Sequence, residues 1–385
     1  MELLKLFETE YEKIRVPGFE SKYLPFTALK NYLDEKFPFK NSLGKSFLGN
    51  EIFHLKIGNG NRAVLAWSQM HGNESTGTRA MLDVFEFLKL ENSWCREIRD
   101  SFSFHFIPML NPDGARNYSR RNACGIDLNR DFTKEVSPEI RILKDLVENG
   151  AFEFLFNLHD QRSIFNVENS AEPATLSFLA PSVDVQRSLT DARRRLMSVI
   201  TAVYSDLQEF IPGKISRFSD EFYPHATGDN FTQMGIPTLL IEAGHYPNDY
   251  ARDHTRKANA LAILLAMDSL LRNEDLGTQG YFEIPENQKK FFDVLLRNVL
   301  VRSSSAEVIL DIGVIFKEEL NLESHEVELI AVIEEVGDLS EYYGHLDIDK
   351  KGKVFVGKSE LFPVVEKAAD FSVGNIHFEN GKWMH

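Results

Sequence analysis

The apolar run Ala63-Val64-Leu65-Ala66-Trp67 leads into Met70-His71-Gly72-Asn73-Glu74-Ser75-Thr76-Gly77, and this passage constrains the chain most. A strand enters a tight turn, the turn offers an imidazole and a carboxylate three residues apart, and a helical pattern comes next. Two such side chains can grip one divalent cation from the same side. A His-x-x-Glu pair is common by chance, so its weight comes from polar residues further along the chain. Asn111 and Asp113 come after the run Phe102–Ile107, His159 after Phe154–Leu158, and Glu242 closes Pro237–Ile241. In open α/β sheets ligands bind beyond the carboxyl ends of the strands. Four strands therefore deliver a polar side chain to one edge.

The pattern around these runs is α/β. Strands are expected at Ala63–Ser68, Phe102–Ile107, Phe152–Asn157 and Thr238–Ile241, apolar at successive positions as in strands buried on both faces. Helices are expected at Leu3–Lys13, Leu29–Phe37, Thr76–Leu90, Pro138–Glu148, Val185–Leu207 and Arg256–Arg272. Ser137, Pro138 and Gly150 punctuate the fourth. Beyond the polar stretch Asn273–Gly280 a helix is expected at Gln288–Val301. Strands then succeed it at Val308–Val314, Val327–Ile333, Lys353–Val356 and Val373–Phe378. Residues 1–273 read as one domain and 280–385 as a small, mostly β domain, a division natural for 385 residues.

A net charge of −15 excludes nucleic acid and anionic membrane as expected partners. No apolar run is long enough to cross a bilayer, and the first residues lack a signal-peptide core. Two cysteines make no disulfide framework, which points to a cytoplasmic setting. Cys124 is read as a packed free thiol rather than a catalytic one.

Two histidines and a glutamate with an open fourth position form the catalytic zinc pattern. A further carboxylate must then take the proton of the attacking water, and Glu242 suits that role. His54 and His105 lie inside strand-like runs and are read as structural. The segment Tyr118–Phe132 concentrates arginine in an acidic chain, and arginine with asparagine makes a fork for a carboxylate.

Taken together, these segments resemble the zinc carboxypeptidases, the M14 metallopeptidases. The resemblance rests on His71–Glu74, Asn111–Gly114, the Arg120–Arg130 segment with its Asp-Leu-Asn-Arg ending, His159, and Ile241-Glu242-Ala243-Gly244, and covers roughly residues 47–272. It implies a carboxypeptidase-like mixed, mostly parallel sheet flanked by helices, and one zinc ion per chain held by His71, Glu74 and His159. It further implies Glu242 as general base, Arg120 as oxyanion stabiliser with Arg121 competing, and Asn129 and Arg130 as binders of the terminal carboxylate. Asp127 would orient His71. Tyr223 is the candidate for the family's mobile tyrosine, with Tyr246 and Tyr250 as alternatives. The expected activity is removal of a C-terminal residue from a peptide. A second reading is an amidohydrolase on N-acyl amino acids, as in the aspartoacylase and succinylglutamate desuccinylase group. A third is a catalytically silent peptide-binding protein. The sequence leaves the oligomeric state open.

Overall fold

The computed structural model describes residues 2–384, and its largest sheet is built from the apolar runs around the candidate ligands. In chain order the strands are β1 (Asn41–Lys45), β2 (Glu51–Ile57), β3 (Arg62–Trp67), β4 (Phe102–Ile107), β5 (Phe152–Asp160), β6 (Phe165–Val167), β7 (Leu176–Leu179), β8 (Ile215–Arg217) and β9 (Thr238–Ala243). All but β6 form one eight-stranded sheet in the order β1-β2-β4-β3-β5-β9-β7-β8. Its centre, β4-β3-β5-β9, is parallel, while β1, β2 and β7 enter antiparallel. From β3 the chain crosses to β4 on one side, then to β5 on the other. That reversal opens a crevice at the carboxyl end of β3.

The helices are α1 (Glu2–Ile14), α2 (Phe26–Lys36), α3 (Thr76–Leu88), α4 (Ser93–Ser101), α5 (Pro112–Arg116), α6 (Pro138–Asn149), α7 (Asp191–Leu207), α8 (Thr227–Gln233), α9 (Asp253–Arg272) and α10 (Gln279–Glu283). Successive strand residues serve opposite faces. Val64, Ala66, Phe154, Phe156 and Leu158 pack with the buried faces of α1, α3, α7 and α9. Leu65, Trp67, Leu155 and Ile107 pack on the other face with Ile140 and Leu143 of α6 and Phe231 of α8. Strands covered on both sides have no polar face to show, which is why these runs read as continuously apolar.

The chain divides into two compact units. Unit 1 runs to Gln161 and resumes from Ala174 to Asn287; unit 2 takes Arg162–Pro173 and everything from Gln288. The stretch after residue 273 thus stays with unit 1. Tyr281 and Ile284 are buried in its core, and the Ala180 N–H donates to the Tyr281 hydroxyl at 3.2 Å.

The remaining strands are β10 (Asn287–Lys289), β11 (Phe291–Arg302), β12 (Glu307–Asn321), β13 (Glu326–Gly337), β14 (Tyr343–Asp349), β15 (Phe355–Gly357), β16 (Phe371–Val373), β17 (Ile376–Glu379) and β18 (Lys382–Met384). β10 pairs with β6, and the rest form two four-stranded sheets of unit 2, β13-β12-β11-β14 and β15-β16-β17-β18. The helix expected at Gln288–Val301 is therefore a strand. Val294, Leu296, Val299 and Val301 enter one core and Phe292 and Leu295 the other. An apolar run buried on both faces imitates a buried helix in sequence. A bulge between Leu296 and Val299, with Asn298 at φ +54, breaks the alternation that would have betrayed it. The single strand expected at Val373–Phe378 is the hairpin β16–β17, turned at Gly374 with φ +61. The expected helix Val185–Leu207 begins only at Asp191, where the Thr190 side chain accepts from the Arg193 N–H.

Candidate active site

β3 ends at Trp67, and the chain turns through Gln69, whose left-handed φ of +44 is held by its amide donating to Gly72 O at 2.9 Å. Gly72 lets this turn meet the turn after β4, because a Cβ there would stand 2.1 Å from Ala115 N. His71 and Glu74 are thereby fixed over the crevice. β5 brings His159 to the same place, and β9 pairs Glu242 opposite His159 in register.

These side chains converge. His71 Nδ1 and His159 Nδ1 lie 3.1 Å apart, and each is 2.9 Å from an oxygen of Glu74. All three residues are buried, and their candidate ligand atoms lie within 4.8 Å of one another. Ligand atoms around a tetrahedral ion bound at about 2.0–2.1 Å stand roughly 3.3 Å apart, so the group fits zinc in both donor type and spacing. Glu74 also accepts from the Asp160 N–H at 3.1 Å. Asp127 Oδ1 sits 3.1 Å from His71 Nε2, the partner a ligating imidazole needs to fix its tautomer. His159 Nε2 is buried without a hydrogen-bond partner among the described residues.

The electrostatics reflect this crowding. Burial works against charge on Glu74, but His71 and His159 prevail and hold its carboxyl well below the usual range. Burial would lower the His71 pKa, yet Glu74 and Asp127 raise it; for His159 burial wins and the pKa falls. Glu242 is pushed well above the ordinary carboxylate range by burial first, then by Glu74 and Asp160.

Arg120 enters from the arginine-rich loop. Its Nη1 lies 3.1 Å from His71 Nδ1 and 3.3 Å from Glu74 Oε1, while Nε donates to Asp127 Oδ2 at 3.0 Å. Arg121 points elsewhere and donates to Gly125 O. Next comes the 3-10 turn Leu128–Arg130, capped by Asp127. Asn129 Oδ1 accepts from the Thr227 N–H of α8 at 2.9 Å, and the exposed Arg130 guanidinium lies 5.1 Å from the Tyr223 ring centroid. Tyr223 is exposed, and its hydroxyl donates to Glu221 at 3.1 Å. Tyr246 instead stacks on His254, and Tyr250 packs by His245.

Several sequence expectations change here. Asn111 and Asp113 reach the same edge but hold loops: Asn111 caps α5, and Asp113 accepts from Ser46, Leu48 and Asn50. Cys124 is exposed rather than packed, because its Asn122–Ile126 turn projects from the core; Cys95 is the buried thiol. Asp160 turns to the opposite face of β5 and accepts from the Thr76 hydroxyl at 2.7 Å.

Residues 33–173 match the family model for zinc carboxypeptidase. An uncharacterised protein of Zymomonas mobilis is 34% identical over 130 residues, covering 32% of this chain and 34% of its own length. Human cytosolic carboxypeptidase 2 is 30% identical over 132 residues, covering 31% of this chain and 14% of its own. The alignments thus span about a third or less of these curated relatives. In fold, the metallo-carboxypeptidase from Burkholderia cenocepacia superposes with a TM-score of 0.52 at 17% identity, covering 66% of this chain and 70% of that one. Bovine thrombin-activatable fibrinolysis inhibitor, solved with a tick carboxypeptidase inhibitor, gives 0.53 at 16% identity, covering 66% and 99%. Residues 33–173 are thus similar to the zinc carboxypeptidases, and the chain shares the mixed α/β fold of solved metallo-carboxypeptidases, with a further β-rich region.

Proposed function

We propose that this relative of the zinc carboxypeptidases is a metallocarboxypeptidase that hydrolyses the C-terminal bond of peptides. One observation carries the reading. His71 Nδ1, Glu74 and His159 Nδ1 turn upon one another, with Glu242 across from them in register. When bound, zinc would supply a Lewis acid that acidifies water and polarises the scissile carbonyl. His71, Glu74 and His159 would hold the ion, and Asp127 would keep the His71 ring oriented. Glu242 takes the proton of the attacking water and passes it to the leaving amine. Arg120 offers its guanidinium to the developing oxyanion. Asn129 and Arg130 hold the substrate's free carboxylate, the latter by a two-pronged contact. Tyr223, whose ring centroid lies 5.1 Å from the Arg130 guanidinium, is our candidate for the tyrosine that closes over the same carboxylate.

Both cysteines are free, and cytosolic carboxypeptidases are among the relatives, so we place the enzyme in the cytoplasm. No helix among the described residues is long and apolar enough to cross a membrane.

The decisive experiment compares one peptide with a free and an amidated C-terminus, beside a panel of N-acyl amino acids. A charged hydrogen bond is worth roughly 1.5–3 kcal/mol, so the amide should lose at least about tenfold in kcat/KM. Arg130→Lys should erase most of that discrimination, since an ammonium cannot reproduce the planar fork. Equal rates on acid and amide would refute the carboxypeptidase reading. Turnover of N-acyl amino acids alone would favour the amidohydrolase.

A further inference from the structure

β5 and β9 stop being neighbours just beyond His159 and Glu242. Their pairing sets His159 beside Glu242 and Asp160 beside Ala243, and its last bond runs from the Gln161 N–H to Ala243 O at 2.9 Å. Past that bond the strands part. The chain leaves unit 1 after Gln161, while Gly244 turns away so that its N–H donates to Thr175 O at 2.7 Å. A ladder end with nothing beyond it frays, and His159 and Glu242 both sit within two residues of this one.

Arg252 closes that end. Its side chain is buried at 3% exposure, Nη1 donates to Ala243 O, and Nη2 donates to Gln161 O at 2.6 Å. One planar guanidinium thus spans both strands at the last bond between them. The main chain of Arg252 is held as firmly. Its φ of +62 is left-handed, which is uncommon for a bulky residue and persists only where the surroundings impose it. Its N–H donates to Asp249 O at 3.2 Å, and its carbonyl accepts from the Arg256 N–H at 2.8 Å. The Asp249 carboxylate accepts from the Asp253 and His254 N–H groups in the first turn of α9. Both donations of the guanidinium go to neutral carbonyls, so among the described residues no ion pair offsets the burial of its charge. Asp249 already secures the start of α9, which leaves the strand ends as what the guanidinium adds.

We infer that Arg252 is a positioning residue for the hydrolysis: it clamps the ends of β5 and β9 together and so fixes Glu242 against the group His71, Glu74 and His159. This deepens the carboxypeptidase reading and rests on it. Arg252 acts through the two strands and takes no part in the chemistry itself. A base displaced by about 1 Å can cost roughly 10²-fold in rate while substrate binding is untouched. Lysine in its place would keep the charge but could not reach two carbonyls with one planar fork. Sequence reasoning gives Arg252 no role, because partners that are main-chain carbonyls leave no motif.

The test uses zinc-loaded full-length protein and three variants. Arg252→Gly removes the guanidinium and suits the left-handed backbone, Arg252→Met fills the space without a donor, and Arg252→Lys keeps the charge without the fork. In all three, kcat per bound zinc should fall about ten- to a hundredfold, with KM, zinc content and the penalty for amidated peptides kept. Guanidinium ion, added below its denaturing range, should restore kcat in Arg252→Gly and not in Arg252→Met. Amide exchange should quicken at Gln161, whose N–H closes the ladder, and keep its rate at Leu155, earlier in the same strand. An unchanged kcat in Arg252→Gly overturns the inference, as does an equal response of the Gly and Met variants to guanidinium. A joint loss of zinc, substrate affinity and protection throughout unit 1 also overturns it, because Arg252 would then serve the fold alone. If the wild type cleaves no peptide, the carboxypeptidase reading fails, and exchange alone decides the clamp. Quickening confined to the end of β5 sustains it; uniform or absent quickening overturns it.

Discussion

Glu242 reaches the ligand group from a strand end where burial and the neighbouring Glu74 and Asp160 carboxylates all favour its protonated form. The base role needs the ionised carboxylate, and its raised proton affinity then favours taking the proton of the water and holding it until the amine leaves. Glu242→Gln keeps the shape and removes the base, so zinc should remain while turnover falls roughly 10²–10⁴-fold. Zinc analysis beside steady-state rates checks this, and an undiminished rate would strike Glu242 from the role. Asp160 is the poorer second choice, since it faces Thr76 on the other side of β5. At this scale the sequence was legible where a polar residue lies near or just beyond the end of an apolar strand, as His159 and Glu242 do near the ends of β5 and β9 and His71 does beyond β3. It was illegible where the role depends on what lies opposite. The motif match puts Arg120 ahead of its competitor Arg121 without excluding the latter, and the structure turns only Arg120 toward the ligand group. Asn111 and Asp113 looked chemical because loop-holding and catalysis use the same residue types.

At the scale of elements, β2 and β4 meet through His54 and His105, which read as structural and prove to be a bonded pair. His54 Nε2 lies 2.9 Å from His105 Nδ1, and Ser103 Oγ occupies His105 Nε2 at 2.8 Å. One proton serves the histidine contact, and a second would set two N–H groups against each other. Burial, then His54 and Lys56, push the His105 pKa down to about 4. Linkage gives the sign: a histidine depressed in the native state stabilises it fully above the unfolded value of about 6.5, and that stability is lost as pH falls toward 4. Partial exposure reduces the effect to roughly 1 kcal/mol. Melting temperatures between pH 7 and pH 5 should therefore fall less steeply in His105→Leu than in the wild type, whatever the variant's stability at pH 7. Parallel slopes would show that the pair does not titrate this way. The central strands were legible because both faces are covered, and β11 was misread for the same reason: continuous apolarity marks burial without naming the backbone.

For the whole molecule, the two units follow their cores rather than the polar stretch at 273–280. Tyr281 and Ile284 hold the chain to unit 1 beyond that stretch, and Arg162–Pro173 belongs to unit 2 although it directly follows the strand of His159. Sequence composition marks solvent exposure, and neither of these boundaries is composed differently from its surroundings. The division would give a bound metal a defined reach. His71, Glu74 and His159 all belong to unit 1, while the buried residues of β11, β12 and β13 form cores of their own. An ion that binds only the folded state stabilises by RT ln(1 + [L]/Kd), about 2.7 kcal/mol at a hundredfold excess over Kd and about 4.1 at a thousandfold. Stripping zinc with a chelator should therefore accelerate amide exchange in β3, β5 and β9, where the ligands are anchored, and leave β11–β13 at their former rates. Thermal unfolding of unit 1 should move down by several degrees, at roughly 2–4 °C per kcal/mol for a domain of about this size. Peptide-resolved hydrogen exchange, with zinc restored as the control, separates the alternatives. Unchanged protection in β3, β5 and β9 would mean that the group His71, Glu74 and His159 holds no metal that matters to the fold. Equal loss in both units would mean that the metal's stabilisation is not confined to the unit that binds it.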